Sequence, residues 1–233
     1  YNYKVLAQPL YVKVFMRSIN LALVSTVVCL IVGYPMAMIL ADKEINKTGL
    51  AVLLFVVPMW MNFLLRTYSW IAILGKNGFI NTVLESLGMP KLNLLYNSGA
   101  VVLGMVYNFL PFMVLPIYTV LSKMDKSIIE AASDLGANKV TIFRKIIFPL
   151  SLPGVMSGIT MVFMPAVSTF VISRLLGGGQ YTLLGNLVEQ QFLVTGDWHF
   201  GSSISIVMMI LILISMLIMT KYDGEQTGGG GLW

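Results

Sequence analysis

The sequence predicts an all-α membrane protein, a bundle of kinked transmembrane helices. Three observations predict it. Of 233 residues, 57% are hydrophobic and only 11% charged; the apolar residues gather in five runs of spanning length; and proline falls inside four of those runs. A water-facing domain carries about 25% charged residues, so lipid must cover much of this surface. No run alternates apolar with polar residues, which argues against the strand pattern of a membrane barrel.

The runs are 18–41, 50–74, 99–121, 150–176 and 203–220, each near or above the roughly 18–20 residues a spanning helix needs. They contain Pro35, Pro58, Pro111 with Pro116, and Pro153 with Pro165. An interior proline is costly in a soluble helix, but in a membrane neighbouring helices re-satisfy the freed backbone groups. Residues 1–233 are therefore expected to form one transmembrane domain. The chain lacks the short apolar core and small-residue cleavage site of a signal peptide. Cys29, the single cysteine, lies in an apolar run, which excludes an internal disulfide framework. The net charge of +5 marks cytoplasmic loops in so apolar a chain, not a nucleic-acid face.

Charge orients the loops. Segment 122–149 carries Lys123, Lys126, Lys139, Arg144 and Lys145, whereas 177–200 has neither lysine nor arginine. The positive-inside rule puts the first in the cytoplasm and the second outside. Alternation then places 42–49, with Lys43 and Lys47, inside. It places 75–98 and residues 1–17 outside, and the tail 221–233 inside. Lys4, Lys13 and Arg17 make 1–17 a local exception.

Segment 122–149 is the most informative. Ser127-Ile128-Ile129-Glu130 has the form of a capping box, in which serine caps the N3 amide and glutamate returns to the serine amide. A short helix over 128–135 is expected, stopping near Gly136 and restarting at Asn138. Ile128, Ala132 and Leu135 share one face of the first piece, and Val140, Phe143, Ile146 and Ile147 stripe the second. Pro149 marks entry to the next span. Periodicity alone does not choose between an apolar knob offered to a partner and a helix lying on lipid headgroups.

The stretch Glu130-Ala131-Ala132-x3-Gly136-x9-Ile146-Ile147-Phe148-Pro149 resembles the EAA signature of ABC-importer permeases, E-A-A-x3-G-x9-I-x-L-P, with Phe148 where leucine is usual. The resemblance implies a MetI-like helix bundle whose coupling loop docks on a separate ATPase. Glu130, Ala131, Ala132, Asp134, Leu135, Gly136 and Pro149 would form that contact, Glu130 as cap and polar contact and Gly136 as the bend. Four further stretches, "LPFMVLPIY", "MDKSIIEAASDLGANKVTIFRKIIFPLSLPGV", "LLGGGQYTLLGNLVEQQF" and "DWHFGSSIS", are similar to the first permease of spermidine/putrescine importers. This implies a bacterial cytoplasmic-membrane protein with a second permease subunit, two copies of an ATPase holding ATP and magnesium, and an extracytoplasmic polyamine-binding protein. No cofactor is expected on this chain itself. Family members have six spans, so a span preceding residue 1 is also implied.

A polycation sets its own chemical demands. The spans hold no carboxylate, and their ionisable residues are Arg66 and Arg174. Arg174 falls near the outer end, where it can snorkel. Arg66 lies deeper and is expected to tie helices or shape an outer gate. The candidate pathway is aromatic and amide-bearing: Tyr34, Trp60, Asn62, Tyr68, Tyr107 and Asn108, with Trp70 and Tyr118 further candidates. Cation–π contacts and carbonyl dipoles host an ammonium without trapping it; interface belts and core packing are the competing role for the tryptophans and Tyr107. Glu189 and Asp197 are external acids available to attract cations or meet a binding protein, and His199 is expected to be a loop residue.

Catalytic patterns are missing from the sequence. It has no G-x-x-x-x-G-K-[ST] phosphate loop and no Cys/His spacing for a metal. Gly177-Gly178-Gly179 fits an external turn. An intramembrane enzyme would need ionisable groups converging at depth, and a channel or secondary transporter would need a selectivity ring or membrane carboxylates. A permease for another small solute is the alternative within the class.

Overall fold

A computed structural model describes residue 6, residues 8–42, residue 46 and residues 49–224, the last seven by backbone alone. Every regular element among them is helical. Lys4, Lys43, Lys47 and the glycine-rich 225–233 lie outside the described residues, so the tail and inner-loop expectations resting on them do too.

The core is three long helices packed side by side: α1 (Pro9–Ala41), α5 (Ser98–Lys123) and α8 (Phe148–Ser168). Small residues let them approach. Ala22, Ser25, Cys29, Gly33 and Ala37 recur every three or four positions along α1, and all are buried; lipid-embedded helices use such small-residue seams because contact there is made by packing. On α8, a side chain at Gly154 would meet the Pro116 carbonyl at 2.9 Å, and one at Gly158 the Met113 sulfur at 2.8 Å. Ser18 and Thr26 of α1 bond back along the helix, Thr26 Oγ1 to the Ala22 carbonyl at 2.7 Å, whereas Ser25 Oγ reaches across to the Met105 sulfur at 3.3 Å.

Among the described residues four helices are long and apolar enough to cross a membrane, or five if the bent pair Leu50–Trp60 and Phe63–Ser86 counts as one span. The expected boundaries need four corrections. First, α1 starts at Pro9, not residue 18. Proline at N1 starts a helix without loss, and 33 residues extend about 50 Å, so Lys13 and Arg17 are helical, not loop, residues. Second, the run 50–74 is not one rod. It comprises α2 (Leu50–Val56), a 3₁₀ turn (Val57–Trp60), then α3 (Phe63–Leu74), with the chain bent by 90° at Met61–Asn62. Third, α8 is continuous with the preceding α7 (Lys139–Ile142) through a π turn over Phe143–Ile147. Fourth, the run 150–176 stops at Ser168, and α9 (Val171–Leu176) is a separate helix.

The remaining elements are α4 (Phe79–Ser86), α6 (Lys126–Asp134), α10 (Leu184–Gln190) with a π turn over Gln191–Thr195, and α11 (Trp198–Gly224). Arg17 donates to the Gln180 carbonyl, Tyr96 N–H to that of Leu176, and Leu184 N–H to Ser18 Oγ. The start of α1, the start of α5, the end of α9 and the loop before α10 therefore share one end of the bundle. Segment 122–149 lies at the other.

Candidate functional site

Segment 122–149 folds as two short helices joined at Gly136. The expected capping box is not there. Asp125 is the N-cap of α6, its carboxylate accepting the Ser127 N–H at 2.9 Å, so Ser127 sits inside the first turn. Aspartate caps as well as serine, and it comes two residues earlier, where α5 has already ended. The Ser127 amide, and then its hydroxyl, hold the Asp125 carboxyl below the usual range. Glu130 is thereby released from capping and stands exposed beside Lys126, Met38 and Asp42 at a cavity of about 350 Å³.

The bend agrees closely with the sequence expectation. Gly136 has φ +81°; its N–H bonds to the Ser133 carbonyl at 2.9 Å and that of Ala137 to Ala132 at 3.0 Å. This is a Schellman stop, which wants glycine in the left-handed region. Asn138 restarts the chain, accepting the Thr141 N–H at 2.8 Å. Asp134 and Ala131 are exposed, Ala132 is half-buried, and Pro149 is half-buried inside the first turn of α8. Leu135 is 88% exposed, with Ile128 and Val140 also exposed. Three apolar side chains of this charged loop are thus open to contact from outside the chain.

Tyr34 lies behind this loop. It is 7% exposed, its hydroxyl 2.8 Å from Ser151 Oγ and its ring edge-on to Phe143 at 5.7 Å. It is sealed inside the chain near the loop, away from the other pathway candidates. Trp60, Asn62 and Tyr68 lie on the bent second run, and Tyr107 packs against it. Trp60 is 81% exposed; Tyr68 and Tyr107 also expose ring surface, and Tyr107 meets Trp70 edge to face at 5.3 Å. Asn62 caps α3 by accepting the Leu64 N–H at 2.8 Å, which explains why the bend falls there and not at Pro58. Asn108 is 2% exposed. Its amide donates to the Gly104 carbonyl, while among the described residues its Oδ1 and Arg66 Nε, both buried, have no hydrogen-bond partner.

Tyr68 shares a cleft of about 300 Å³ with Phe170, Arg174 and Glu189. Glu189 and Arg174 form an ion pair at 2.7 Å, with the arginine largely exposed and the glutamate largely covered. Asp197 accepts the Phe200 N–H at 3.0 Å at the head of α11, and His199 lies in the first turn of that helix. Asn186 escaped the sequence reading. It accepts from Ser173 Oγ at 2.6 Å and from the Leu183 N–H at 3.0 Å, and donates to the Phe170 carbonyl at 2.9 Å. One amide thus holds the break between α8 and α9 against α10. No local pattern announces it.

Residues 13–223 match the family of binding-protein-dependent transport system inner membrane components. The chain belongs to that family. Among its relatives, the spermidine/putrescine transport system permease protein PotB of Escherichia coli (strain K12) is 40% identical over 219 residues, 93% of this chain and 80% of the relative. A bacterial ABC transporter that imports the acidic polysaccharide alginate has a chain superposing with TM-score 0.81 at 12% identity, over 97% of this chain and 83% of that one. An inward-facing MetNI methionine ABC transporter gives TM-score 0.68 at 16% identity, over 93% and 95%. At such identities the two structures establish a shared fold. This inner membrane component is a multi-pass transport subunit of MetI-like architecture.

Proposed function

We propose that this chain is the transmembrane permease of an ATP-driven polyamine importer, half of its translocation pathway, moved by a separate ATPase that docks on 122–149. The observation that carries the reading is identity of 40% across nearly the whole chain to a permease named for spermidine and putrescine. The Schellman bend at Gly136, with Leu135 projecting beyond it, supports the docking role. Glu130, Ala131, Ala132 and Asp134 line its approach, with ATP and magnesium held on the ATPase.

The full assembly pairs this chain with a second permease and two ATPase copies, and receives solute from an extracytoplasmic binding protein. Segment 122–149 is cytoplasmic on this reading; 75–98 and 177–200 are external. A polyamine with about three positive charges is drawn inward by roughly 2.3 kcal/mol per charge per 100 mV, so the path needs gating more than tight binding. The exposed rings of Trp60, Tyr68 and Tyr107 supply shallow cation contacts, while Arg66 shapes the bundle. Uptake of labelled polyamine by proteoliposomes holding the whole complex tests this. ATP-dependent accumulation is expected; accumulation that ignores ATP would point to a channel.

A further inference from the structure

The docking loop must move something inside the membrane, and its route into the bundle is narrow. α6 packs on α7, and beneath α6 a cavity of about 350 Å³ separates Ile129 and Glu130 from Met38 and Leu121. Burial resumes at Ile142, the last residue of α7, and ring contact with α1 follows in the π turn. A π turn is a single widened helical turn, found at functional sites. In this one Phe148 N–H reaches back to the Phe143 carbonyl, immediately before Pro149, which has no N–H to offer.

Three rings close on that step. Tyr34 stands 5.7 Å from Phe143 and 5.9 Å from Phe148, and the two phenylalanines lie 6.2 Å apart. The Tyr34 hydroxyl meets Ser151 Oγ at 2.8 Å, and Ser151 Oγ donates to the Phe148 carbonyl at 2.9 Å. Ser151 is fully buried. The chain Tyr34–Ser151–Phe148 thus ties the last third of α1 to the first turn of α8, immediately after the π turn, and the Tyr34–Phe143 ring contact reaches into the π turn itself. Rings alone can slide over one another, but a buried hydroxyl pair fixes register.

We infer that Tyr34 and Ser151 form a latch that makes α1 move with the docking loop. They are positioning residues that touch neither solute nor nucleotide. The inference rests on the proposed docking of an ATPase at 122–149. Tyr34→Phe keeps the ring and leaves Ser151 bonded to the Phe148 carbonyl, so the fold should survive it.

The test uses the whole complex in proteoliposomes, comparing wild type with Tyr34→Phe, Ser151→Ala and the double variant. Solute transported per ATP hydrolysed is read alongside ATPase retention and melting temperature. The expected result is a transport-to-hydrolysis ratio lowered about fivefold in each single variant, with ATPase retained and hydrolysis continuing. The double variant should be no worse than either single one, because both remove the same link. A ratio unchanged in both singles, or losses that multiply in the double, overturns the latch. So does a ratio that holds while only the melting temperature falls. Failure of the wild-type chain to retain any ATPase would overturn the docking reading itself, and the latch with it.

Discussion

Replacing Gly136 separates a backbone requirement from a steric one. At φ +81°, a Cβ at Gly136 would meet no atom within 4 Å. The cost of alanine there is therefore conformational. An ordinary L-residue in the left-handed region loses about 1–2 kcal/mol, a β-branched one more, and asparagine little. If docking requires the bend, that strain enters the docking equilibrium directly. Gly136→Ala should weaken ATPase binding about tenfold, at roughly 1.4 kcal/mol per decade. Gly136→Val should weaken it further and Gly136→Asn less than about threefold. Titrating purified ATPase onto the permease pair in nanodiscs measures this, with permease melting as a control. Asparagine as damaging as valine would refute the backbone argument, because only size would then order the series. Wild-type affinity in all three would remove the bend from the docking site.

The close contact between α5 and α8 predicts that Gly154→Ala destabilises the bundle by about 1–3 kcal/mol, because the new methyl meets the immovable Pro116 carbonyl at 2.9 Å; an unchanged detergent melting temperature would contradict that packing. Asp125 predicts a pH effect. Its folded carboxyl is held below the usual range, so its capping contribution is complete above about pH 4 and fades as pH falls through the lower folded value. Hydrogen exchange across 125–134 should lose protection at pH 3 in wild type but not in Asp125→Asn, which caps without a charge; equal protection at pH 3 and 5 in wild type would contradict the sign.

The parts legible in the sequence are those that depend on neighbours along the chain. Gly136 and Asn138 are readable because a stop and a cap are local chemistry, and the cores of the spans because lipid imposes length. Two competent caps, Asp125 and Ser127, lie two residues apart, and residue preference does not rank them; the end of α5 decides. Pro58 announces a disturbance in the second run, but the 90° bend falls at Met61–Asn62, where the Asn62 side chain caps α3. Tyr34 reads as a pathway candidate because its partner, Ser151, is 117 residues away. Nothing local distinguishes a buried tyrosine from one facing a cavity. Asn186 is invisible for the same reason, since its partners include Phe170 and Ser173 in another helix and the break before it.

On the proposed function, this chain conducts a polycation under the drive of ATP. The most direct test is uptake of labelled spermidine and putrescine, beside a labelled dianion, by proteoliposomes holding the complete complex with wild-type chain or Arg66→Gln. ATP-dependent polyamine uptake is expected of both, slower in the variant only as far as its melting temperature falls, with no dianion uptake. Dianion uptake that collapses in Arg66→Gln, with no polyamine transported by either, would contradict that function.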